Sequence, residues 1–193
     1  MIILLIIYIL LLAQVQSESP YDKRKLLRIF YKEFFNDVRH EYSIGLQIAN
    51  MQELSYNIEL EQEAKSFVTC EDIKNTDTFR FLLLETAFSK GFISPFLTNV
   101  DARWIKLNET NILDNEDFKR NAEFLHPLQN EIACVDLISK CPLSEKLPGK
   151  KADSICLFGP KSSEPMPAWI KGKPMSHCPN GKTDSGLCKS DLD

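Results

Sequence analysis

The chain has 193 residues, 44% of them hydrophobic and 26% charged, with a formal net charge of −4. This is the composition of a globular chain long enough for one core, and it excludes a disordered tail. It also argues against a nucleic-acid binder. The basic run "DKRKLLR" is local, has no domain-wide stripe behind it, and reads as a solvated helix face.

Ile2 to Ala13 form an apolar run. Its length suits a signal-peptide core and falls short of the roughly 20 residues of a membrane span. Val15 and Ser17 stand at the minus-three and minus-one positions of a signal peptidase site. Residues 1–17 are therefore expected to be a cleaved signal peptide, leaving an extracellular protein with no transmembrane anchor after cleavage. Asp22 to Leu46 is predicted to be a helix, with Leu26, Leu27, Phe30, Phe34, Val38 and Tyr42 recurring three and four apart as one apolar stripe. Asn57 is placed as the N-cap of a second helix. Glu59 and Glu61 stand in its first turn, Leu60, Ala64, Phe67 and Val68 form its apolar face, and it runs to about Cys70.

The polar stretch "EDIKNTDT" then leads to an apolar run, "FRFLLLETAF", closed by Gly91 and Pro95. Val100 to Leu107, carrying Trp104, is a candidate third helix. "EIACVDLI" and "SICLF" are the strand candidates, the second ending at the turn signal Gly159-Pro160. Helices first and a few strands later give an α+β class. Beyond Pro160 the composition turns to Pro, Gly, Ser and Lys with almost no apolar periodicity. Residues 161–193 are thus expected to be a separate tail, ordered by its own disulfide, after a main domain spanning 18–160.

Six cysteines, Cys70, Cys134, Cys141, Cys156, Cys178 and Cys188, lie after the signal segment, an even number that implies three bridges in an oxidising compartment and leaves the pairing open. No C-x-x-C occurs, and the histidines do not sit at zinc-ligand spacing from the cysteines. "NET" at Asn108 to Thr110 is an acceptor sequon for glycosylation. No G-x-S-x-G, Walker loop or dinucleotide fingerprint is present. His40 reads as a solvated or capping helix position, and His177 lies in the tail, where nothing rigid would hold a nucleophile. His126, in "AEFLHPLQNEIAC", precedes Pro127 and is placed in a loop or at the start of a strand.

Taken in order, these pieces resemble the CAP superfamily of cysteine-rich secretory proteins, antigen 5 allergens and pathogenesis-related proteins, as a divergent nematode-like member. "FFNDVRHEYS" looks like its "HN-x-x-R" segment, with Asn36 and Arg39 in the Asn and Arg places. "ELSYNIELEQEAKSFVTC" is similar to "L-x-W-x-x-x-L-x-x-x-A" followed by a cysteine, with Tyr56 for Trp and Leu60 and Ala64 matching. "VDARW" resembles the segment that carries the family tryptophan, here Trp104. "NEIACV" and "ICLFGPKS" resemble two further signatures, with Ala133 for Gly and Phe158 for Tyr. "GKPMSHCPNGKTDSGLC" is similar to the family's cysteine-rich hinge.

The resemblance implies an α-β-α sandwich and a cleft with a metal tetrad of two His and two Glu. Position by position, Glu85 matches one glutamate, Leu107 falls in the place of the other, and Arg120 falls in the place of one histidine. No histidine occurs where the other belongs, and His126 takes the place of a tryptophan. Glu109 would enter the site only if the register slipped. A tetrad reduced to one residue implies no metal or other cofactor and no catalysis, since leucine has no lone pair to give and arginine repels a cation.

In the hinge, Met175 and a position near Thr183 replace two family cysteines, which implies a Cys178–Cys188 bridge. Cys134–Cys156 would then staple the two strands and leave Cys70–Cys141. The expected function is binding of an unknown protein receptor or a lipid or sterol ligand. The surface would be the cleft near Glu85 and Arg120, or hinge residues such as Trp169, unless Trp169 packs back on the core. A secreted hydrolase, and an inhibitor or structural protein using "HCPNGKTDSGLC", are the alternatives.

Overall fold

The computed structural model describes residues 20–74, 76–85, 102–114, 122–143, 149, 151–161 and 169–190. The expected signal peptide, residues 1–17, and Arg120 lie outside the described residues. Helix α1 spans Pro20–Gly45, and strand β1 is the pair Ser55–Tyr56. Helix α2 covers Ile58–Ser66. Asn57 caps it as expected, its Oδ1 accepting from the amides of Glu59 at 2.7 Å and Leu60 at 3.0 Å. The helix stops four residues short of the expected Cys70. Phe67 turns extended there, and the Asp72 carboxylate draws in the amides of Val68 and Thr69 to start a 3₁₀ turn at Cys70–Asp72.

Strand β2 is Arg80–Leu84, within the apolar run that carried no strand signal. Helix α3 at Ala102–Leu107 falls within the expected third helix, and a further short helix, α4 at Glu109–Asp114, follows it. A 3₁₀ turn at Ala122–Leu125 precedes β3, Glu131–Pro142, and β4, Lys151–Gly159. Both strands run longer than their predicted cores.

The sheet order is β1-β3-β4-β2, with β1 parallel to β3 and the other pairs antiparallel. Strand β4 is central and buried on both faces. Cys156 and Phe158 point to a core shared with Phe35, Val38 and Tyr42 of α1. Ile155 and Leu157 point the other way, to Ala64 of α2 with Phe67 and Phe79. Period-two alternation along one strand thus feeds two helical layers and produces the α-β-α sandwich. The α1 stripe corrects the sequence reading. Tyr31, Phe35, Val38 and Tyr42 are buried, whereas Leu26 and Phe30 face outward.

The three bridges are Cys70–Cys141, Cys134–Cys156 and Cys178–Cys188, the last implied by the family resemblance and the other two suggested by the strand candidates. The second joins residues directly opposite in the β3–β4 ladder, with Cα atoms 4.1 Å apart.

The tail is ordered by more than its own bridge. Residues 169–190 lie along 47–53: Ala49 N–H donates to the Ile170 carbonyl, His177 N–H to Ala49, Cys188 N–H to Met51 and Glu53 N–H to Cys188, each within 2.8–3.1 Å. Leu187 and Cys188 are buried as a result. Gly186 is required in the turn above them. Its φ is +79°, and an added Cβ would run into the His40 imidazole.

Candidate functional site

Asn36 and Arg39 leave α1 on its buried side, one turn apart. Asn36 bonds both backbone groups of Leu54, donating from Nδ2 to the carbonyl at 2.9 Å and accepting the amide at Oδ1 at 2.8 Å. Arg39 is fully buried and spends its donors on main-chain carbonyls. They are Gln52 (3.0 and 2.7 Å), Phe124 (2.5 Å), His126 (3.1 Å) and Gln129 (2.9 Å). Burial pulls its guanidinium down to about 9, so it stays charged at neutral pH. The pair therefore fixes segments 52–54 and 124–129 against α1. His126 is one of the residues held this way. It is fully buried, and its Nδ1 accepts the Leu128 amide at 3.4 Å. It sits in the loop before β3, as the Pro127 signal suggested.

Two of the cleft positions, Glu85 and Leu107, lie among the described residues. Glu85 is exposed just past the end of β2. Leu107 closes α3 with 84% of its surface in solvent. Glu109, the residue a register slip would recruit, is bound by Lys171 of the tail at 2.6 Å, and the same ammonium donates to the Leu46 carbonyl at 2.7 Å. Glu41 is also engaged, accepting the Ala102 amide at the start of α3 at 2.8 Å. Among the described residues, no group of three or more His, Cys, Asp or Glu could hold a metal ion. Neither Glu85 nor Leu107 belongs to such a group. Asn108 is half-exposed in the turn between α3 and α4, with Thr110 exposed beside it, so the sequon stands at an accessible position.

The sequence reading missed a charged cluster between α1, α2 and β3. Glu61, in the first turn of α2 as expected, is buried. Its carboxylate accepts from Arg28 at 2.7 and 3.0 Å and from Lys65. Burial pushes the carboxyl up, but the hydrogen bonds from Arg28 and Lys65 outweigh it and hold it at about 2. The Arg28 guanidinium also lies 5.7 Å over the Tyr56 ring. The Tyr56 hydroxyl reaches the backbone of Cys134, donating to its carbonyl at 3.2 Å. Burial raises this phenol well above the usual tyrosine range. A cavity of about 200 Å³ opens beside the cluster, lined by Arg24, Tyr31 and Asp136 among others. The Glu61–Lys65 spacing of four was a readable signal. Arg28, thirty-three positions from Glu61, left none.

The hinge is folded onto this frame. Trp169 is half-buried against the main core and donates from Nε1 to the Leu125 carbonyl at 3.0 Å, so it does not offer an exposed binding surface. Within the Cys178–Cys188 loop, Gly181 (φ +97°) donates its amide to the Cys178 carbonyl at 3.2 Å and closes a turn. The Thr183 hydroxyl pins the other end to Leu187 at 3.1 Å.

No family model matches the sequence, and no curated protein matches it. Solved structures do. Hookworm platelet inhibitor aligns with a TM-score of 0.58 at 16% identity, over 91% of this chain and 95% of its own. NaASP2, solved with Zn²⁺, aligns with a TM-score of 0.51 at 16% identity, over 83% of this chain and 94% of its own. Both are CAP-superfamily proteins. At this identity the likeness is one of fold, and the fold of this chain is the CAP-superfamily α-β-α sandwich to which its sequence motifs pointed.

Proposed function

We propose that the chain is a secreted, non-catalytic binding protein on a CAP scaffold, acting on a protein receptor or on a lipid or sterol ligand with a degenerate metal tetrad. The observation that carries this reading is the Lys171–Glu109 ion pair beside an exposed Leu107. A catalytic zinc site needs about three converging neutral or anionic ligands with a position left open. Here a cation from the hinge already takes a carboxylate near the cleft, and leucine stands where another would be needed. Three disulfides suit an oxidising, extracellular setting. Among the described residues no helix is long and apolar enough to cross a membrane.

The inhibitor alternative draws less support, because a substrate-like loop is extended, whereas the Cys178–Cys188 loop is closed by its Gly181 and Thr183 contacts. The test is to express the chain in secreting cells, sequence its amino terminus, and use it as bait against cell-surface proteins and lipid extracts, with a peptide library run in parallel. The reading expects a start near residue 18, a saturable ligand and no cleavage. Turnover of peptides that is lost in Glu85→Ala would contradict it.

A further inference from the structure

Helix α1 is apolar on two faces. Its inner face, with Tyr31, Phe35, Val38 and Tyr42, fills the core. On the opposite side of its first turns, Leu26, Ile29 and Phe30 stand three and four residues apart and form one patch, with 55%, 48% and 43% of their surfaces in solvent. The charge around the patch is predominantly positive. The ten residues from Lys23 to Lys32 carry five cations and no acid, in a chain whose net charge is −4. Lys23 borders Leu26, and Lys25 and Lys32 border Ile29 at helical spacings of four and three. Lys23 and Lys25 are exposed, and Lys32 keeps a third of its side chain in solvent. Arg28 is turned inward to Glu61. Two acids flank the run, Asp22 at a helical spacing of four from Leu26 and Glu33, which is paired with Lys32 at 2.9 Å.

We infer that this outer face of α1 is a docking surface for an anionic lipid bilayer. Leu26, Ile29 and Phe30 enter the boundary between headgroups and acyl chains, while the lysine stems run along the helix and place their ammonium groups among lipid phosphates and carboxylates. The charge pattern favours this occupant over a second copy of the chain, since a two-fold contact would set Lys23, Lys25 and Lys32 against themselves. The apolar triad favours it over a sulfated polysaccharide, against which three large hydrophobic side chains gain nothing. The surface is separate from the cleft and the hinge, so the inference goes beyond the binding role proposed above and stands or falls independently of it.

The test is flotation of the full chain, produced in eukaryotic cells, with vesicles of phosphatidylcholine alone and of phosphatidylcholine mixed with phosphatidylserine. The protein is expected to float with the mixed vesicles and little with the neutral ones, and the association should fall as salt rises. The triple substitution Leu26→Ser, Ile29→Ser and Phe30→Ser should weaken it about tenfold or more. Lys23→Glu with Lys25→Glu should weaken it about tenfold without removing any apolar group. Ile138→Ser, at an exposed apolar position on β3 (72% in solvent), should change nothing. All variants are first checked for an unchanged thermal transition, and the lysine pair keeps the test valid if the triple variant melts early. Equal flotation with both vesicle types, or full binding by the triple variant, would overturn the inference. So would retention on heparin that survives the triple substitution without any vesicle binding. A concentration-dependent dimer abolished by the triple variant, again without vesicle binding, would assign the face to a second copy instead.

Discussion

Arg39 gives its guanidinium to four main-chain carbonyls, whereas Glu61 gives its carboxylate to the side chains of Arg28 and Lys65. Both charges are buried. The Arg39 partners are fixed groups on the loops around it, and they cannot turn to water when the donor is gone. The Glu61 partners are long and about one-third exposed, and they swing out at little cost. A charge met by backbone therefore anchors the fold, and a charge met by side chains mainly trims one face of it.

The comparison can be broken most sharply at Arg39. Arg39→Ala strands buried carbonyls of Phe124, His126 and Gln129 and is expected to cost about 3–5 kcal/mol. Urea unfolding would show it as a collapse of the midpoint. Arg39→Lys keeps the charge but has three donors on a point ammonium, so it should recover only part of this and still cost about 2–3 kcal/mol. Full recovery by lysine would mean that charge, not the fork of donors, is what the loops require.

Glu61→Gln is expected to cost about 2 kcal/mol at neutral pH. Its pH dependence has a definite sign. The carboxyl is held at about 2 in the fold against an ordinary value of 4.5. Its contribution is therefore complete above pH 4.5 and is lost as pH falls towards about 2. The stability gap between the native chain and Glu61→Gln should narrow across that window and nowhere above it, as read from urea midpoints at stepped pH. The smallest effect is expected from Lys171→Ala, within about 1 kcal/mol because the pair with Glu109 is half in solvent.

Much of this was readable in the sequence, for reasons that differ from element to element. Asn57 announced α2 because capping is local chemistry. The strand of Ile155 and Leu157 announced itself through β-branched and apolar residues before a Gly-Pro turn. Strand β2 did not, because "RFLLL" packs on both sheet faces and so loses the alternation that marks a half-buried strand. The phase of α1 was misread because apolar residues occur on both its sides. The family hinge implied the Cys178–Cys188 bridge, and the two strand candidates suggested Cys134–Cys156 and left Cys70–Cys141. At the candidate site, Leu107 and the missing histidines were visible as absences. The Lys171–Glu109 pair joins residues 62 positions apart, and Arg39 binds carbonyls that every residue possesses. The pair leaves no pattern in one sequence, and Arg39 was marked there by its place in the family-like segment and not by the carbonyls it binds.

The claim at the centre of the account is that the CAP scaffold here carries a binding role without its metal. The most direct test is the metal content of the purified native chain after equilibration with excess Zn²⁺ and exhaustive dialysis. The account predicts zinc far below one equivalent per chain, unchanged in Glu85→Ala and in Lys171→Ala. One tightly held equivalent, lost in Glu85→Ala, would contradict it.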